Sequence, residues 1–198
     1  MRLKHLSCLA VLCACTFSAA AFAEQVDNPA YTGWAKYKPG TSVTIRQTMD
    51  MPGMGVMQQT DTVTLVEVAA DKVVVETKGN MVMAGQATDI PATKSSIPAK
   101  VDKADELTSS LDAHGGSKPV VKDVKAGKDT VTIGDKKLDT VTQEFTVESK
   151  PEEKEKATGT MKTWSSAEVP GGLVKAEMTM TLPMAIKMNK TVIEYSVK

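Results

Sequence analysis

The chain has 198 residues, of which 41% are hydrophobic, 4% aromatic and 24% charged. This composition excludes a collagen-like chain, a coiled coil and a plainly disordered chain. The 24 basic and 24 acidic side chains balance, so neither a nucleic-acid-binding surface nor a polybasic membrane patch is expected.

The first 23 residues have the pattern of a secretory signal peptide. Two basic residues precede a mostly apolar run at 6–20, and a small-x-small cleavage signal follows at 21–23. The apolar run is short for a membrane span, and polar residues come directly after it. We therefore predict a signal peptide at 1–23, a single β domain at 24–198 with a formal charge of −2, and a periplasmic or extracellular location.

All three cysteines, Cys8, Cys13 and Cys15, lie inside this leader. The mature chain is therefore expected to have no disulfide, no thiolate nucleophile and no cysteine metal site, so its stability must come from its core. Residues 12–15 also resemble a weak lipobox. Lipid anchoring at Cys15 is the alternative to cleavage after Ala23.

A short helix is predicted at the start of the mature chain. Asn28 and Pro29 suit the cap and the first turn of a helix, and Pro39 with Gly40 ends it. After Gly40 apolar and polar residues alternate with a period of two, which is typical of a half-buried strand.

Alternating runs rich in Thr and Val continue to the end of the chain. They are residues 54–68, 72–84, 120–124, 130–133, 137–148, 159–167, 173–188 and 190–197. Turn residues separate them at hairpin distances: Pro52 with Gly53, Gly127 with Lys128, Gly134 with Asp135, and Pro170 with Gly171 and Gly172. The sequence predicts a mainly β fold: a single strongly curved antiparallel sheet, a half-barrel or open barrel of about nine strands, with a short N-terminal helix.

Residues 91–119 interrupt the alternation and are expected to form a polar irregular or short-helix insertion. A helix from about residue 103 to residue 113, capped by Asp102, fits this segment. The charged residues 150–156 are expected to form a solvated hairpin loop.

The methionines are unusually frequent, and all 12 except Met1 follow the leader. A loop of Pro52, Gly53 and Met54 is favoured over a two-residue turn, because the shorter turn would set apolar positions against polar ones. The longer loop pairs Met49 with Met57, Ile45 with Asp61, and Val43 with Val63. One face of the sheet would then be rich in methionine.

That face is predicted to form core or to line a site for an apolar or lipid-like ligand, because methionine side chains are flexible and polarizable. The candidate lining residues are Met49, Met51, Met57, Val63, Leu65, Met178, Met180 and Leu182. An alternative is Cu(I) coordination, since thioethers suit monovalent copper. The candidate copper ligands are Met49, Met51, Met54 and Met57.

Catalytic motifs are absent from the sequence. There is no Gly-x-Ser-x-Gly elbow, His-Glu-x-x-His helix, Walker loop or dinucleotide-binding fingerprint. His114 is the only histidine after the leader and is expected in a solvated loop. We therefore predict a non-enzymatic protein without a cofactor, apart from copper under the alternative.

The segment 164–175 combines a tryptophan with a Glu-Val-Pro-Gly-Gly turn and a strand. Trp164 has the opposite parity to Met161 and Thr163, so we expect it on the other sheet face, packed with Trp34. The segment resembles the C-terminal signature of uncharacterised secreted bacterial β-sheet proteins. The overall plan resembles, more remotely, the half-barrel of outer-membrane lipoprotein carriers, a curved antiparallel sheet with short helices over its mouth. The resemblance implies the fold alone.

The function expected from these patterns is that of a non-enzymatic cell-envelope protein, periplasmic or secreted, which binds an apolar small molecule or lipid on the Met-rich face. Periplasmic Cu(I) binding and a structural or interaction role without a ligand are the two alternatives. No nucleic-acid partner and no transmembrane segment of the mature chain are expected.

Overall fold

A computed structural model describes residues 24–53, 55–107, 120–148, 157–181 and 185–198. The elements are β1 (Gln25–Asp27), α1 (Pro29–Ala35), β2 (Ser42–Met51), β3 (Gly55–Val68), β4 (Lys72–Met83), β5 (Gln86–Pro98), β6 (Lys100–Asp102), a 3₁₀ helix (Lys103–Asp105), β7 (Val120–Ile133), β8 (Lys136–Glu148), β9 (Thr158–Ser165), β10 (Leu173–Thr181) and β11 (Ala185–Ser196). The expected signal peptide with Cys15, the expected loop at 150–156, and Met54, His114 and Leu182 lie outside the described residues.

Nine of the strands form one antiparallel sheet in the order β5-β4-β3-β2-β11-β10-β9-β8-β7. The sheet is not closed into a barrel, since β5 and β7 lie at its two edges. The remaining strands, β1 and β6, pair with each other as a small antiparallel ribbon. The structure thus confirms the predicted mainly β fold, with one sheet of nine strands and a short N-terminal helix.

The first hairpin of the sheet has the predicted register. Val43 lies opposite Val63, Ile45 opposite Asp61, and Met49 opposite Met57. β2 ends at Met51 and β3 begins at Gly55, so the connection has three residues as expected. Gly53 and Gly55 have φ angles of 86° and 88°, a backbone conformation that favours glycine.

The prediction of one strand over 173–188 is wrong. β10 ends at Thr181 and β11 begins at Ala185, with Pro183 between them in the sequence. Alternation failed to show this boundary because even-numbered residues stay on the same side of the sheet before and after it. Met178 faces Met188 and Met180 faces Ile186, so even-numbered residues of both strands share one side of the sheet.

The turn predicted at Gly127 and Lys128 is also wrong. β7 runs without interruption from Val120 to Ile133, and Gly127 pairs with Thr142 in the ladder to β8. The break in alternation comes from a register shift between Lys122 and Lys125, where Asp123 has a φ of 54°. An inserted residue of this kind reverses the parity without ending the strand.

The irregular insertion predicted at 91–119 is wrong for its first part, because residues 91–98 belong to β5. Proline suits an edge strand, where a backbone N–H is not needed on the open side. Pro91 also falls where the register with β4 shifts, between the pairs of Thr77 and Gly79. The helix expected from residue 103 is a 3₁₀ turn, Lys103–Asp105, and the Asp102 side chain makes no capping hydrogen bond.

The main core lies where α1 packs against the sheet, and the face of β2, β3 and β4 that carries Val43, Val63 and Val75 is here called the concave face. The buried cluster consists of Trp34, Val43, Leu65, Val73, Val75, Ile133, Leu138, Trp164, Val169, Val174 and Val192. Both tryptophans belong to it. The ladder places Trp164 opposite Thr142 and Met161 opposite Phe145, so alternation sets the two β9 side chains on different faces, as predicted.

Candidate functional site

A cavity of about 490 Å³ lies between the concave face and the segments that cover it. Aliphatic side chains of β2, β3 and β4 form its floor, among them Val43, Ile45, Val63 and Val75. Trp34 of α1 lines the cavity from the cover. A concave, mostly aliphatic space of this volume is in the size range of small-molecule sites.

Asn28 fixes α1 over the cavity. Its side-chain oxygen accepts a hydrogen bond of 3.0 Å from the Ala30 backbone N–H, which caps the helix, and its Nδ2 donates to the Pro98 carbonyl at 2.8 Å. The Asn28 backbone N–H donates to the Ala99 carbonyl at 2.9 Å. A single buried side chain therefore joins the helix to the end of β5.

The other side of α1 rests on the loop between β9 and β10. The Gly171 backbone N–H donates to the Gly33 carbonyl at 3.1 Å. A Cβ on Gly33 would lie 2.6 Å from the Gly171 carbonyl carbon, so only glycine allows this approach. The Pro-Gly-Gly turn seen in the sequence thus serves as a platform for the helix.

Lys190 is a charged residue on the floor of the cavity. It lies on β11 opposite Gln47 of β2 and Ala176 of β10, and its same-face strand neighbours are Met188 and Val192. The side chain is half-buried. Burial lowers the pKa of Lys190, and the negative charge of Asp61 offsets part of this effect.

Asp61 is a buried carboxylate on the same face, 9% exposed. Its Oδ2 accepts a hydrogen bond of 2.8 Å from Gln59 Nε2, whereas its buried Oδ1 has no hydrogen-bond partner among the described residues. Asp61 pairs with Gly79 of β4, and a Cβ on that glycine would overlap Oδ1. The glycine therefore makes room for the carboxylate.

A polar row crosses the sheet between the cavity and the methionines. Cross-strand pairs join Lys190 to Gln47 and Gln47 to Gln59, on three neighbouring strands.

The next row on the same face consists almost entirely of methionine. Direct pairs join Met161 to Met178, Met178 to Met188, Met188 to Met49, Met49 to Met57, and Met57 to Met83. This methionine row spans six neighbouring strands, from β9 to β4.

The predicted lining residues that the structure describes share the concave face but differ in their surroundings. Val63 lines the cavity and Leu65 belongs to the buried core, 1% exposed. The methionine row contains three of them, each half-buried: Met49, Met57 and Met178. Two others lie outside that row, since Met51 pairs with Gly55, and Met180 pairs with Ile186 and Gly159. None of the described methionines lines the cavity. A ligand on the methionines themselves stays a prediction.

Sequence reasoning missed Lys190 as a site residue and gave Asp61 only as the partner of Ile45. For both residues, the signal in the sequence was the odd or even position along the strand, which decides the face of the sheet on which a side chain lies. In the register described above, Asp61 falls on the side of Val63 and Leu65, and Lys190 continues the even-numbered positions of Met188 and Val192. A charge at a core-facing position marks either a buried pair or a ligand contact.

Within the described ranges, no group of three or more His, Cys, Asp or Glu residues is placed to hold a metal ion. Within those ranges, no helix is long and apolar enough to span a bilayer.

Four solved structures resemble the chain. One is an inferred lipoprotein from Parabacteroides distasonis, with 14% identity, a TM-score of 0.47, and coverage of 80% of this chain and 97% of that chain. Another is an inferred exported protein with a YmcC-like fold from Bacteroides fragilis, with 7% identity, a TM-score of 0.49, and coverage of 82% and 98%. A third is an inferred outer-membrane lipoprotein-sorting protein domain from Vibrio parahaemolyticus, with 9% identity, a TM-score of 0.28, and coverage of 80% and 85%.

Neither a family model nor a curated protein matches the sequence. A lipoprotein-sorting protein domain is thus among the solved structures that resemble the chain.

Proposed function

We propose that this protein is a non-enzymatic, exported binding protein that holds the apolar chain of a lipid-like amphiphile between α1 and the concave face. The observation that supports this most directly is the cavity of about 490 Å³ with its aliphatic floor. Desolvating an alkyl chain on such a floor is worth ~0.8 kcal/mol for each buried methylene. The expected leader accounts for export.

The experiment is ligand binding by the purified mature protein. Native mass spectrometry and solvent extraction report any lipid retained from the host, and displacement of a fluorescent fatty acid gives an affinity. Val63→Trp should weaken binding at least about tenfold, because the indole fills the cavity. Val56→Trp is the matched control, since Val56 lies on β3 with opposite parity and is 50% exposed.

Two results would contradict the proposal. One is a protein that carries no lipid and binds no fatty acid although it is folded. The other is equal affinity of the Val63→Trp and Val56→Trp variants, which would place the ligand elsewhere. A structural or interaction role without a small ligand would then be the better explanation.

The methionine row favours Cu(I) binding as a second candidate function. Met49 lies directly opposite both Met57 and Met188, and Cβ atoms of such pairs are about 5 Å apart. Three thioethers therefore project from adjacent positions of one face.

Anaerobic Cu(I) titration should give a defined stoichiometry, and the double substitution Met49→Leu and Met57→Leu should abolish it. The control, Met81→Leu with Met180→Leu, should retain it, and retention by both variants would exclude this site.

A further inference from the structure

Lys190 stands out because a lysine on an aliphatic floor loses part of the hydration free energy of its ammonium group. Alternation puts it on the same side as Met188 and Val192 of its own strand, and it borders the cavity with Ile45 and Val63. Ammonium groups lose hydration in such surroundings. A residue retained at this cost has either a partner in the protein or one supplied from outside.

The described part of the protein supplies no direct partner. Among those residues the Lys190 ammonium makes no hydrogen bond and no ion pair. Asp61 acts on it only through space, since no ion pair joins the two side chains: Asp61 Oδ2 accepts from Gln59, and Oδ1 lies against Gly79 without a hydrogen-bond partner among the described residues. Lys190 can therefore donate its three N–H groups to a ligand.

The other charges around the cavity are placed differently. Lys100, Asp102 and Asp105 also line it, but they come from β6 and the 3₁₀ helix, which follow edge strand β5. Lys100 forms an ion pair of 2.6 Å with Asp27. β11 lies four strands from β5, which is roughly 19 Å along the sheet. The ammonium and the acidic side chains thus belong to different elements of the cavity wall.

We infer that Lys190 binds the acidic head group, carboxylate or phosphate, of the amphiphile whose chain occupies the cavity. This inference rests on the proposed function and adds the class of ligand to it. The aliphatic floor fits an alkyl chain, and the ammonium at its border fits a single anionic group. A hydrogen bond to a charged group is worth about 1.5–3 kcal/mol, or roughly a tenfold to hundredfold change in affinity.

The test compares four probes on the purified mature protein by isothermal titration calorimetry. Dodecanoate and dodecyl phosphate carry the acidic group and the chain, dodecanol carries the chain alone, and inorganic phosphate carries the anion alone. Dodecanoate or dodecyl phosphate should bind at least about tenfold more tightly than dodecanol. Whichever of the two acidic amphiphiles binds more tightly identifies the head group, and inorganic phosphate should bind weakly.

Two substitutions assign the preference to Lys190. Lys190→Met keeps the length and removes the charge, so it should abolish the preference for the two acids over dodecanol. Lys190→Arg should keep the preference. The control is Lys187→Met, at an exposed position of the same strand with opposite parity.

The outcomes separate the inference from the proposed function. Equal binding of dodecanoate, dodecyl phosphate and dodecanol, or an unchanged preference in Lys190→Met, would overturn the inference and leave the proposed function standing. Binding of inorganic phosphate as tight as that of dodecyl phosphate would replace it with a free-anion site. Absence of binding by all the amphiphiles would overturn both.

Discussion

The indole Nε1 of Trp164 donates a hydrogen bond of 2.9 Å to the Asp129 carboxylate, which joins β9 to β7 across the intervening strand β8. The Thr130 backbone N–H donates to the same carboxylate at 2.8 Å. The ammonium groups of Lys162 and Lys175 lie 4.9 Å and 4.6 Å from the centre of the Trp164 ring. A single indole therefore organises the edge of the sheet farthest from β5.

This arrangement predicts that Asp129 stabilises the fold only while it is ionised. The hydrogen bond from Trp164 is the largest cause that lowers the pKa of Asp129, followed by the bond from Thr130. Because the pKa is lower in the folded state, the contribution is complete above the ordinary carboxylate pKa and is lost as the pH falls through the folded value.

Urea unfolding between about pH 7 and pH 3 tests it. The wild type should be more stable than Asp129→Asn at neutral pH, and the difference should shrink below about pH 4. Asp139→Asn, at an exposed position of β8, is the control and should show no such convergence. A constant difference over the whole range would show that the bond does not favour the ionised carboxylate.

Alternation of apolar and polar residues was sufficient to predict much of the sheet, because each strand has one core-facing side. The hairpin at Pro52 and Gly53 could even be predicted in register, since a shift by one residue would have exposed Val43 and Val63. The errors came where the alternation of apolar and polar residues did not match the ends of the strands. Between β10 and β11 the even-numbered residues stay on one side of the sheet, so the boundary before Ala185 was missed. Near Asp123 a register shift reverses the side on which odd-numbered residues lie, so a continuous strand was divided into two.

The candidate site was less predictable than the fold. The pairing of Met49 with Met57 was predicted correctly, but the cavity is formed by Val and Ile together with α1. Where a short helix docks depends on long-range contacts such as that of Asn28 with Pro98, which no local pattern contains. Lys190 and Asp61 were recognisable only as charges on the apolar side once the register was known.

Asn28 is expected to be the most sensitive polar residue of the cover. Asn28→Asp retains an oxygen that can cap α1, but it replaces the donor to the Pro98 carbonyl with a second acceptor. The loss should be about 1–3 kcal/mol of unfolding free energy, since a buried carbonyl is left without its partner. Asn189→Asp, at an exposed position of β11, should change stability by less than about 0.5 kcal/mol. Similar values for the two variants would show that the Pro98 bond is unimportant.

Gly79→Ala is expected to disturb the buried carboxylate of Asp61. The added methyl group would overlap Asp61 Oδ1 and the Thr60 carbonyl oxygen, and the latter is backbone that cannot rotate away. We expect a loss of about 1–3 kcal/mol in thermal or urea unfolding. Gly127→Ala is the matched control, because among the described residues the close atom there is the Thr142 hydroxyl oxygen, 2.8 Å from the position of an added Cβ. A smaller loss for Gly79→Ala than for Gly127→Ala would mean that Asp61 is not held against β4.

Oxidation by dilute hydrogen peroxide should follow the burial of the thioethers. Met83 is 45% exposed at one end of the methionine row, and Met161 is 5% exposed at the other. Peptide mapping by mass spectrometry should therefore find Met83 oxidised at least about tenfold faster than Met161, with half-buried Met49 and Met188 between them. Uniform rates for all four residues would show that the row does not face the interior of a curved sheet.

Lys190→Met should stabilise the ligand-free protein, because burial lowers the pKa of Lys190 in the folded state. A lysine whose pKa is lower in the folded than in the unfolded protein reduces the unfolding free energy at any pH below its folded pKa. This reduction disappears as the pH rises towards the unfolded value of ~10.4. The substitution should thus raise the unfolding free energy by on the order of 1 kcal/mol at pH 7, and the gain should shrink towards pH 10. The carboxylates of Asp102 and Asp105 also line the cavity, and the negative charge of Asp61 offsets part of the effect of burial on Lys190. Urea unfolding of both proteins at the two pH values measures the effect. A wild type more stable than Lys190→Met at pH 7 would mean that the ammonium already has a stabilising partner within the protein, and the reason for assigning it to a ligand would be lost.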